Sequence, residues 1–206
     1  MNYLVLLRHG QSEWNKLNLF TGFKDVELTE EGRAEARKAG QLLKDSDIHF
    51  DHLFTSTLKR ANDTAELALD ESEQSGLWSK VIRHEDLRER DYGDLTGLNK
   101  EETRQKYGDE QFKIWRRGYD TPPPGGECLK DVVENRVRPY FENNIKEKLE
   151  AGDNVLIVAH GNSLRAMMIV LEQRTPEDIN EFEIPTGVPL VLEINEGNIS
   201  KHYFLS

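Results

Sequence analysis

The sequence predicts an α/β fold, a three-layer sandwich in which helices cover both faces of a mostly parallel sheet. Residues 3–7 and 154–159 form two apolar runs of strand length without alternating polar side chains, which is typical of strands buried on both faces. Amphipathic helical segments alternate with the strand-like runs along the chain, as in α/β proteins. The chain has 206 residues, which suits one sizeable core, so we expect residues 1–206 to form a single domain.

The composition excludes several classes of partner. The chain has 27 basic and 38 acidic residues, a formal net charge of -11, which disfavours binding to nucleic acid or to an anionic membrane surface. No apolar run reaches membrane-spanning length. The chain enters a strand almost at once, so we expect no signal peptide. Its only cysteine, Cys128, cannot form an internal disulfide and fits a reducing, cytoplasmic location. The composition is compatible with a homo-oligomer.

The first half of the chain predicts two short strands and two helices. Thr29 is a good N-cap for a helix that runs to about Leu43. Residues 53–55 and 81–82 are expected to be strands. The helix between these strands has apolar residues at steps of three and four: Leu58, Ala61, Ala65 and Ala68.

The middle of the chain is richer in charge and in loops. Residues 99–107 predict a polar surface helix that ends at Gly108. Three prolines and two glycines in residues 122–126 exclude a helix there and predict a loop. A long helix then follows from about Leu129 to Leu149, and Pro139 inside it predicts a kink.

The last part of the chain predicts a buried helix and a final pair of strands. Thr175 and Pro176 suit an N-cap and a first helical position, so we expect a further short helix there. Residues 188–194 and 199–204 predict the last two strands. The apolar face of the buried helix consists of Leu164, Met167, Met168 and Leu171.

Both apolar runs end in a histidine followed by a glycine, His9-Gly10 and His160-Gly161. In open α/β sheets, ligands bind beyond the carboxyl ends of the strands, so neighbouring strands would place both histidines in one pocket. A single histidine at a strand end is more often a packed or hydrogen-bonded residue. The repetition favours a functional site, and the glycines let the backbone approach a ligand or bind an anion through its N–H groups.

Two arginines are expected at the same edge as the histidines. Arg8 precedes His9, and Arg60 lies in the first turn of the helix after the second strand. Guanidinium groups match phosphate oxygens in a bidentate fork, and a neutral histidine can attack phosphorus. Side-chain cations can stabilise the transferring group. Since no Cys/His grouping has metal-ligand spacing, we expect phosphoryl transfer without a metal.

Residues 7–15 resemble the signature of the histidine phosphatase superfamily. Further segments, in the same order along the whole chain, are similar to those of cofactor-dependent phosphoglycerate mutases within that superfamily. The stretches around Lys100, Arg116 and Pro185 are specific to the mutases, whereas the first motif is shared across the superfamily. The matching segments are residues 20–22, 55–56, 58–61, 92–95, 97–100, 107–111, 115–118, 159–165 and 184–190.

The resemblance implies interconversion of 2- and 3-phosphoglycerate in glycolysis and gluconeogenesis, through a phosphohistidine primed by 2,3-bisphosphoglycerate. It implies that His9 is phosphorylated and that Arg8, Arg60 and His160 hold the phosphoryl group. Glu89 would shuttle the proton as acid and base, although its local sequence alone is typical of a solvated surface carboxylate. The further substrate contacts that it implies are Gly10, Gln11, Ser12, Glu13, Trp14, Asn15, Thr21, Gly22, Arg90, Asp91, Tyr92, Lys100, Arg116, Arg117, Gly161 and Asn162.

Two departures from the family pattern keep alternatives open. Asp91 stands where the family usually has a histidine, and residues 118–126 replace a longer segment that helps to cover the site. The short cover favours a phosphomonoester phosphatase of the same superfamily, in which water takes the phosphoryl group. The cations Lys100, Arg116 and Arg117 favour the mutase, because its substrate carries a carboxylate and a second phosphate. A non-catalytic module that binds a phospho-ligand would not need both histidines.

Overall fold

The computed structural model describes residues 1–206 and contains one six-stranded sheet in the order β3-β2-β4-β1-β5-β6. The strands β3, β2, β4 and β1 pair in parallel, whereas β5 pairs antiparallel with both β1 and β6. The predicted mostly parallel α/β sheet is confirmed, with a mixed edge. The strands are β1 Asn2–Arg8, β2 His52–Thr55, β3 Ile82–Arg83, β4 Val155–Ala159, β5 Leu190–Asn195 and β6 Asn198–Phe204.

Each face of the sheet carries its own apolar core. In β1, Leu4 and Leu6 belong to a core of 27 buried residues, whereas Val5 and Leu7 belong to a second core of 14. Successive side chains of a strand point to opposite faces, so a strand covered on both sides must be apolar throughout. This is the physical reason for the continuous apolar runs in the sequence.

Helices form the two outer layers. The first core includes apolar residues of α6, α8 and α9, and the second includes those of α2 and α3. None of the helices has both the length and the apolar composition needed to cross a lipid bilayer. The helices are α1 Glu13–Lys16, α2 Glu30–Ser46, α3 Lys59–Glu71, α4 Lys100–Tyr107, α5 Asp109–Arg117, α6 Leu129–Val132, α7 Arg138–Tyr140, α8 Lys146–Glu150 and α9 Gly161–Val170.

The predicted helix boundaries are confirmed to within a few residues. The Thr29 hydroxyl caps α2 by accepting the N–H of Gly32 at 3.0 Å. Helix α4 begins after its N-cap Asn99 and ends at Gly108, whose φ of 87° suits glycine. The predicted long helix is continuous from α6 to α8, and π-helical turns at Val133–Val137 and Phe141–Ile145 flank α7. Pro139 in α7 lacks the N–H that a regular α-helix needs there.

The expected helix at Thr175 and Pro176 is wrong. The N–H of Ile179 donates to the Thr175 carbonyl at 3.0 Å, which closes a single turn, and a short 3₁₀ turn follows at Ile179–Glu181. The guanidinium of Arg165 donates to the Ile179 carbonyl at 3.0 Å. The same carbonyl accepts the N–H of Phe182 at 3.1 Å, so both of its acceptor positions are used within this turn.

Candidate active site

The two histidines lie side by side at the carboxyl edge of the sheet. Arg8 pairs with Ala159 in the register of β1 and β4. The two strands therefore end at the same level of the sheet, and His9 and His160 follow them at neighbouring positions. The imidazole ring centroids of His9 and His160 are 5.0 Å apart, and both rings are buried. Adjacency of β1 and β4, which are 151 positions apart in the chain at Leu4 and Val155, creates this pair.

A strongly polar cavity opens at this edge. Six of its lining side chains are cationic and two are carboxylates, although the chain as a whole has a net charge of -11. A cleft lined by one sign of charge concentrates ligands of the opposite sign, so the cavity suits a polyanion. Its lining residues are Arg8, His9, Asn15, Thr21, Arg60, Glu89, Tyr92, Lys100, Arg116, Arg117, Gly161, Asn162, Arg165, Glu183 and Ile184. All but the last three are expected from the sequence.

His9 is held as a neutral imidazole with one free nitrogen. Its Nδ1 lies 2.6 Å from the carbonyl oxygen of Gly10, and because a carbonyl only accepts, Nδ1 carries the hydrogen. Nε2 therefore keeps its lone pair. Burial, followed by the charges of Arg60 and Arg8, holds the pKa of His9 well below its ordinary value. A buried, neutral and oriented imidazole is suited to attack phosphorus.

The Gly10 turn has no room for a side chain. A Cβ atom at Gly10 would lie 2.1 Å from the carbonyl oxygen of Gly32 in α2. The N–H of Gly10 donates to the Thr64 hydroxyl of α3 at 3.0 Å. Close contact with two helices therefore fixes the turn that orients the His9 ring.

Two arginines flank the histidines. The guanidinium of Arg60 is almost fully buried and donates to the carbonyls of Lys24 and Gly22 at 2.7 and 2.8 Å. Burial lowers the pKa of Arg60 to about 10, which still leaves it charged at neutral pH. Arg8 donates to the Ile184 carbonyl at 3.0 Å, and its buried Nε has no protein partner. Arg8 therefore keeps an unpaired N–H while its side chain lines the cavity.

Glu89 is held beside the start of α9. Its Oε1 accepts the backbone N–H groups of Arg90 at 2.8 Å and of Asn162 at 3.1 Å. The backbone of this segment is anchored by Arg136, which donates to the carbonyls of Arg88 and Glu89 at 3.0 Å each. The predicted acid/base candidate therefore lies on the cavity wall in a defined orientation.

A second group of cations lines the outer part of the cavity at the ends of α4 and α5. Lys100 begins α4, and Arg116 and Arg117 end α5. Burial, followed by the charge of Arg116, lowers the pKa of Lys100 to about 8. Arg117 forms an ion pair with Glu183. These cations provide a second anion-binding group beside that of Arg8 and Arg60.

Comparison with known proteins identifies the family. The profile described as "Histidine phosphatase superfamily (branch 1)" matches residues 4–204. The chain belongs to the histidine phosphatase superfamily. It is 52% identical over 195 residues to the 2,3-bisphosphoglycerate-dependent phosphoglycerate mutase of Parvibaculum lavamentivorans, covering 95% of this chain and 91% of that protein. It is 54% identical over 192 residues to the protein of the same name from Brucella anthropi, covering 93% and 92%.

A solved structure of the superfamily has the same fold. A mycobacterial glucosyl-3-phosphoglycerate phosphatase in complex with inorganic phosphate aligns with a TM-score of 0.79 at 27% identity. The alignment covers 99% of this chain and 95% of that one. The superfamily fold is therefore shared over nearly the full length of both chains.

Several residues that the superfamily resemblance implied as contacts lie outside the cavity lining. Ser12 caps α1 by accepting the N–H of Asn15 at 3.1 Å. Gln11 donates its N–H to the Glu35 carboxylate at 2.7 Å. These residues shape the loop that carries Asn15. The predicted contacts outside the lining are Gly10, Gln11, Ser12, Glu13, Trp14, Gly22, Arg90, Asp91 and the fully buried His160.

Arg90 and Asp91 are tied to neighbouring backbone. Arg90 is 1% exposed and donates to the carbonyls of Trp115 and Arg116 at 3.0 and 3.1 Å. It therefore fixes the end of α5 on which the outer arginines stand. The carboxylate of Asp91 accepts the N–H of Gly93 at 2.9 Å, so the unusual acidic residue closes its own turn.

The short segment of residues 118–126 supports this same turn. The Pro124 carbonyl accepts the N–H of Asp94 at 2.9 Å, and a Cβ at Gly93 would lie 2.3 Å from that carbonyl oxygen. None of residues 118–126 lines the cavity. In this member of the superfamily the segment supports the turn beside Tyr92 and does not line the cavity.

Sequence reasoning missed Arg165, Glu183 and Ile184. A signal for Arg165 exists, because it follows Asn162 by three residues and therefore shares its face of α9. Glu183 and Ile184 lie on the irregular return from α9 to β5. No local pattern predicts where that return meets the cavity.

Proposed function

We propose that the protein interconverts 2- and 3-phosphoglycerate through a phosphohistidine on His9 that 2,3-bisphosphoglycerate primes, as a step of glycolysis and gluconeogenesis. The observation that carries the proposal is the division of one cavity into two cationic groups. The inner group contains Arg8 and Arg60 beside His9, and the outer group contains Lys100, Arg116 and Arg117. A substrate with a phosphate at one end and a carboxylate or second phosphate at the other matches both groups. Relatives of 52% and 54% identity bear the mutase name.

The inner group performs the proposed transfer. His9 starts as the primed phosphohistidine and passes its phosphoryl group to the 2-hydroxyl of 3-phosphoglycerate. Nε2 of His9 then attacks the phosphorus at carbon 3, and the bond from that phosphorus to the substrate oxygen breaks. The charges of Arg8 and Arg60 stabilise the equatorial oxygens during transfer. Glu89 takes the proton of the attacking 2-hydroxyl and then gives it to the leaving 3-oxygen. The product is 2-phosphoglycerate, and both His9 and Glu89 end in their starting states.

The charge of the cavity matches that of 2,3-bisphosphoglycerate. When bound, it supplies the phosphoryl group that charges His9. Its two phosphates and its carboxylate need more cations than a simple phosphomonoester does, and the cavity provides six. Arg8 and Arg60 would hold the phosphate that is transferred, and the outer group would hold the remaining anionic groups.

A product assay tests the proposal against the phosphatase alternative. The protein is incubated with 3-phosphoglycerate, with and without 2,3-bisphosphoglycerate, and phosphorus NMR follows 2-phosphoglycerate and free phosphate. We expect 2-phosphoglycerate to dominate and to depend on the primer. Free phosphate as the main product, without dependence on the primer, would contradict the mutase.

Two variants assign the roles within the same assay. His9→Ala should lose both mutase turnover and phosphorylation by labelled 2,3-bisphosphoglycerate. Arg116→Gln should raise KM for 3-phosphoglycerate and leave KM for a phosphoester without a carboxylate unchanged. Equal effects on both substrates would place Arg116 at the transferred phosphate and remove the argument from two cationic groups.

A further inference from the structure

Three buried side chains form a hydrogen-bonded chain that ends at the cavity. Nη1 of Arg165 lies 2.9 Å from Oδ1 of Asn162, and Nδ2 of Asn162 lies 3.2 Å from the hydroxyl oxygen of Tyr92. Arg165, Asn162 and Tyr92 are each less than one-tenth exposed, and all three line the cavity.

The direction of these two hydrogen bonds follows from the chemistry of arginine. A guanidinium donates hydrogen bonds and cannot accept them, so the atom of Asn162 that faces Arg165 must be its oxygen. The amide nitrogen of Asn162 is then turned towards Tyr92. Because that nitrogen donates, the Tyr92 oxygen accepts, and the single hydroxyl hydrogen has no acceptor within the protein. Tyr92 therefore presents this hydrogen to the cavity.

We propose that Arg165 is a positioning residue that keeps the Tyr92 hydroxyl as a hydrogen-bond donor to an anionic oxygen of the substrate. The inference deepens the proposed function and rests on it, since a phosphoglycerate supplies such an oxygen. Without Arg165, the Asn162 amide is free to rotate by half a turn. Its oxygen then accepts the Tyr92 hydrogen, and the cavity loses that donor.

The backbone of Asn162 does not depend on Arg165 in this way. Its N–H donates to Glu89 at 3.1 Å, at the start of α9, so the main chain stays anchored when the side-chain amide rotates. Arg165 has a second, structural set of contacts, with the Ile179 carbonyl at 3.0 Å and with Oδ1 of Asn180 at 3.3 Å. A test must separate these contacts from the effect on Tyr92.

The experiment compares the effect of Tyr92→Phe in two backgrounds. Calorimetry gives the dissociation constant of 3-phosphoglycerate for wild type, Tyr92→Phe, Arg165→Met and the double variant. Loss of one hydrogen bond to a charged oxygen should weaken binding about tenfold in the wild-type background. In the Arg165→Met background, Tyr92→Phe should weaken binding less than about twofold, because the hydroxyl already faces Asn162. An equal effect in both backgrounds would overturn the proposal.

Three further variants keep the test decisive. In Asn180→Ala, which removes only a structural contact of Arg165, Tyr92→Phe should still weaken binding about tenfold. Loss of the Tyr92 effect in that background would assign the coupling to the turn at 179–181 and overturn the proposal. Arg165→Lys keeps a donor that cannot accept and should restore the Tyr92 effect. If Arg165→Met does not fold, Asn162→Asp replaces it, because two acceptor oxygens there also capture the Tyr92 hydrogen.

The binding measurement does not depend on the reaction products. If the product assay yields free phosphate and no 2-phosphoglycerate, the mutase proposal fails while the comparison of backgrounds still reports on Arg165. If 2-phosphoglycerate forms and Tyr92→Phe acts equally in both backgrounds, only the positioning role fails.

Discussion

The hydroxyl oxygen of Ser56 lies 2.7 Å from Nε2 of His160, and this contact orients the imidazole ring beside His9. Nδ1 of His160 is buried and has no protein partner. Burial, followed by the charge of Arg60, holds the pKa of His160 well below its ordinary value, so the ring is neutral. We interpret Ser56 as the donor of this pair, so that the neutral ring keeps its hydrogen on Nδ1. We interpret this tautomer as the one that donates to the phosphoryl group.

Removal of the Ser56 hydroxyl should therefore slow the chemical step. We expect Ser56→Ala to lower kcat about tenfold with little change in KM, because the contact matters most when charge develops on the phosphoryl oxygens. Steady-state kinetics measure the effect, and the ring-nitrogen chemical shifts of His160 report its tautomer. Ser56→Thr, which keeps a hydroxyl, is the control. A wild-type kcat in Ser56→Ala would exclude this role.

The depressed pKa values of His9 and His160 predict how stability depends on pH. Below about pH 6.5 the unfolded chain binds protons at these histidines while the folded chain does not, so the free energy of unfolding decreases as pH falls. Each histidine should contribute up to about 1.4 kcal/mol per pH unit in that window. Above the pKa that these histidines have in the unfolded chain, both states are neutral at these positions and this loss of stability is absent.

Urea unfolding of wild type and His9→Gln between about pH 5 and 7 checks this prediction. The two proteins share their carboxylates, so the difference between their slopes isolates one histidine. The slope should be shallower in His9→Gln. Parallel curves would show that His9 titrates alike in both states.

The Lys100 pKa of about 8 predicts that substrate binding weakens in alkaline solution. Above that pH the empty site loses the ammonium charge, and a bound anion favours the charged form. The dissociation constant of 3-phosphoglycerate should rise by up to about tenfold per pH unit above pH 8. Lys100→Arg, which stays charged, should show a flat profile over the same range. The same pH dependence in both proteins would assign it to another group.

The Glu183 carboxylate is expected to compete with the substrate for Arg117. The pair lies on the cavity wall, and the Glu183 side chain is 59% exposed. We expect Glu183→Gln to lower KM for 3-phosphoglycerate roughly threefold, because it frees Arg117 and removes a negative charge from the approach of an anion. Unfolding free energy should change by less than about 1 kcal/mol, as for other exposed ion pairs.

Glu181→Gln is the matched control for this prediction. It makes the same change of charge at an exposed position two residues away that does not line the cavity. Its KM should stay near the wild-type value. If both variants lower KM equally, the effect comes from net charge and not from release of Arg117.

Turnover is expected to be independent of divalent metal ions. The cationic side chains of the cavity can carry out the charge stabilisation that metals provide in other phosphoryl-transfer sites. Mutase rates measured with and without a strong chelator should agree. A rate that falls in chelator and returns with added metal would contradict this mechanism.

The sequence was sufficient to predict the features that local rules control. Apolar runs that end at His9 and His160 follow from strands covered on both faces. Thr29 and Gly108 mark helix ends through capping and a positive φ. Arg60 could be placed because it lies in the first turn after a predicted strand. These positions depend on neighbours within a few residues, and such neighbours can be read along the chain.

The tertiary structure decided which of these features meet. Pairing of β1 with β4 sets His9 beside His160, and burial of Arg90 against the end of α5 makes it a support of the outer arginines. Arg165 acquires its place from a short turn at 179–181, where the sequence predicts a helix, and Glu183 reaches Arg117 across 66 positions of sequence. These contacts join segments far apart in the chain. Their geometry depends on how the helical layers pack against the sheet, and local secondary-structure propensity does not predict that packing.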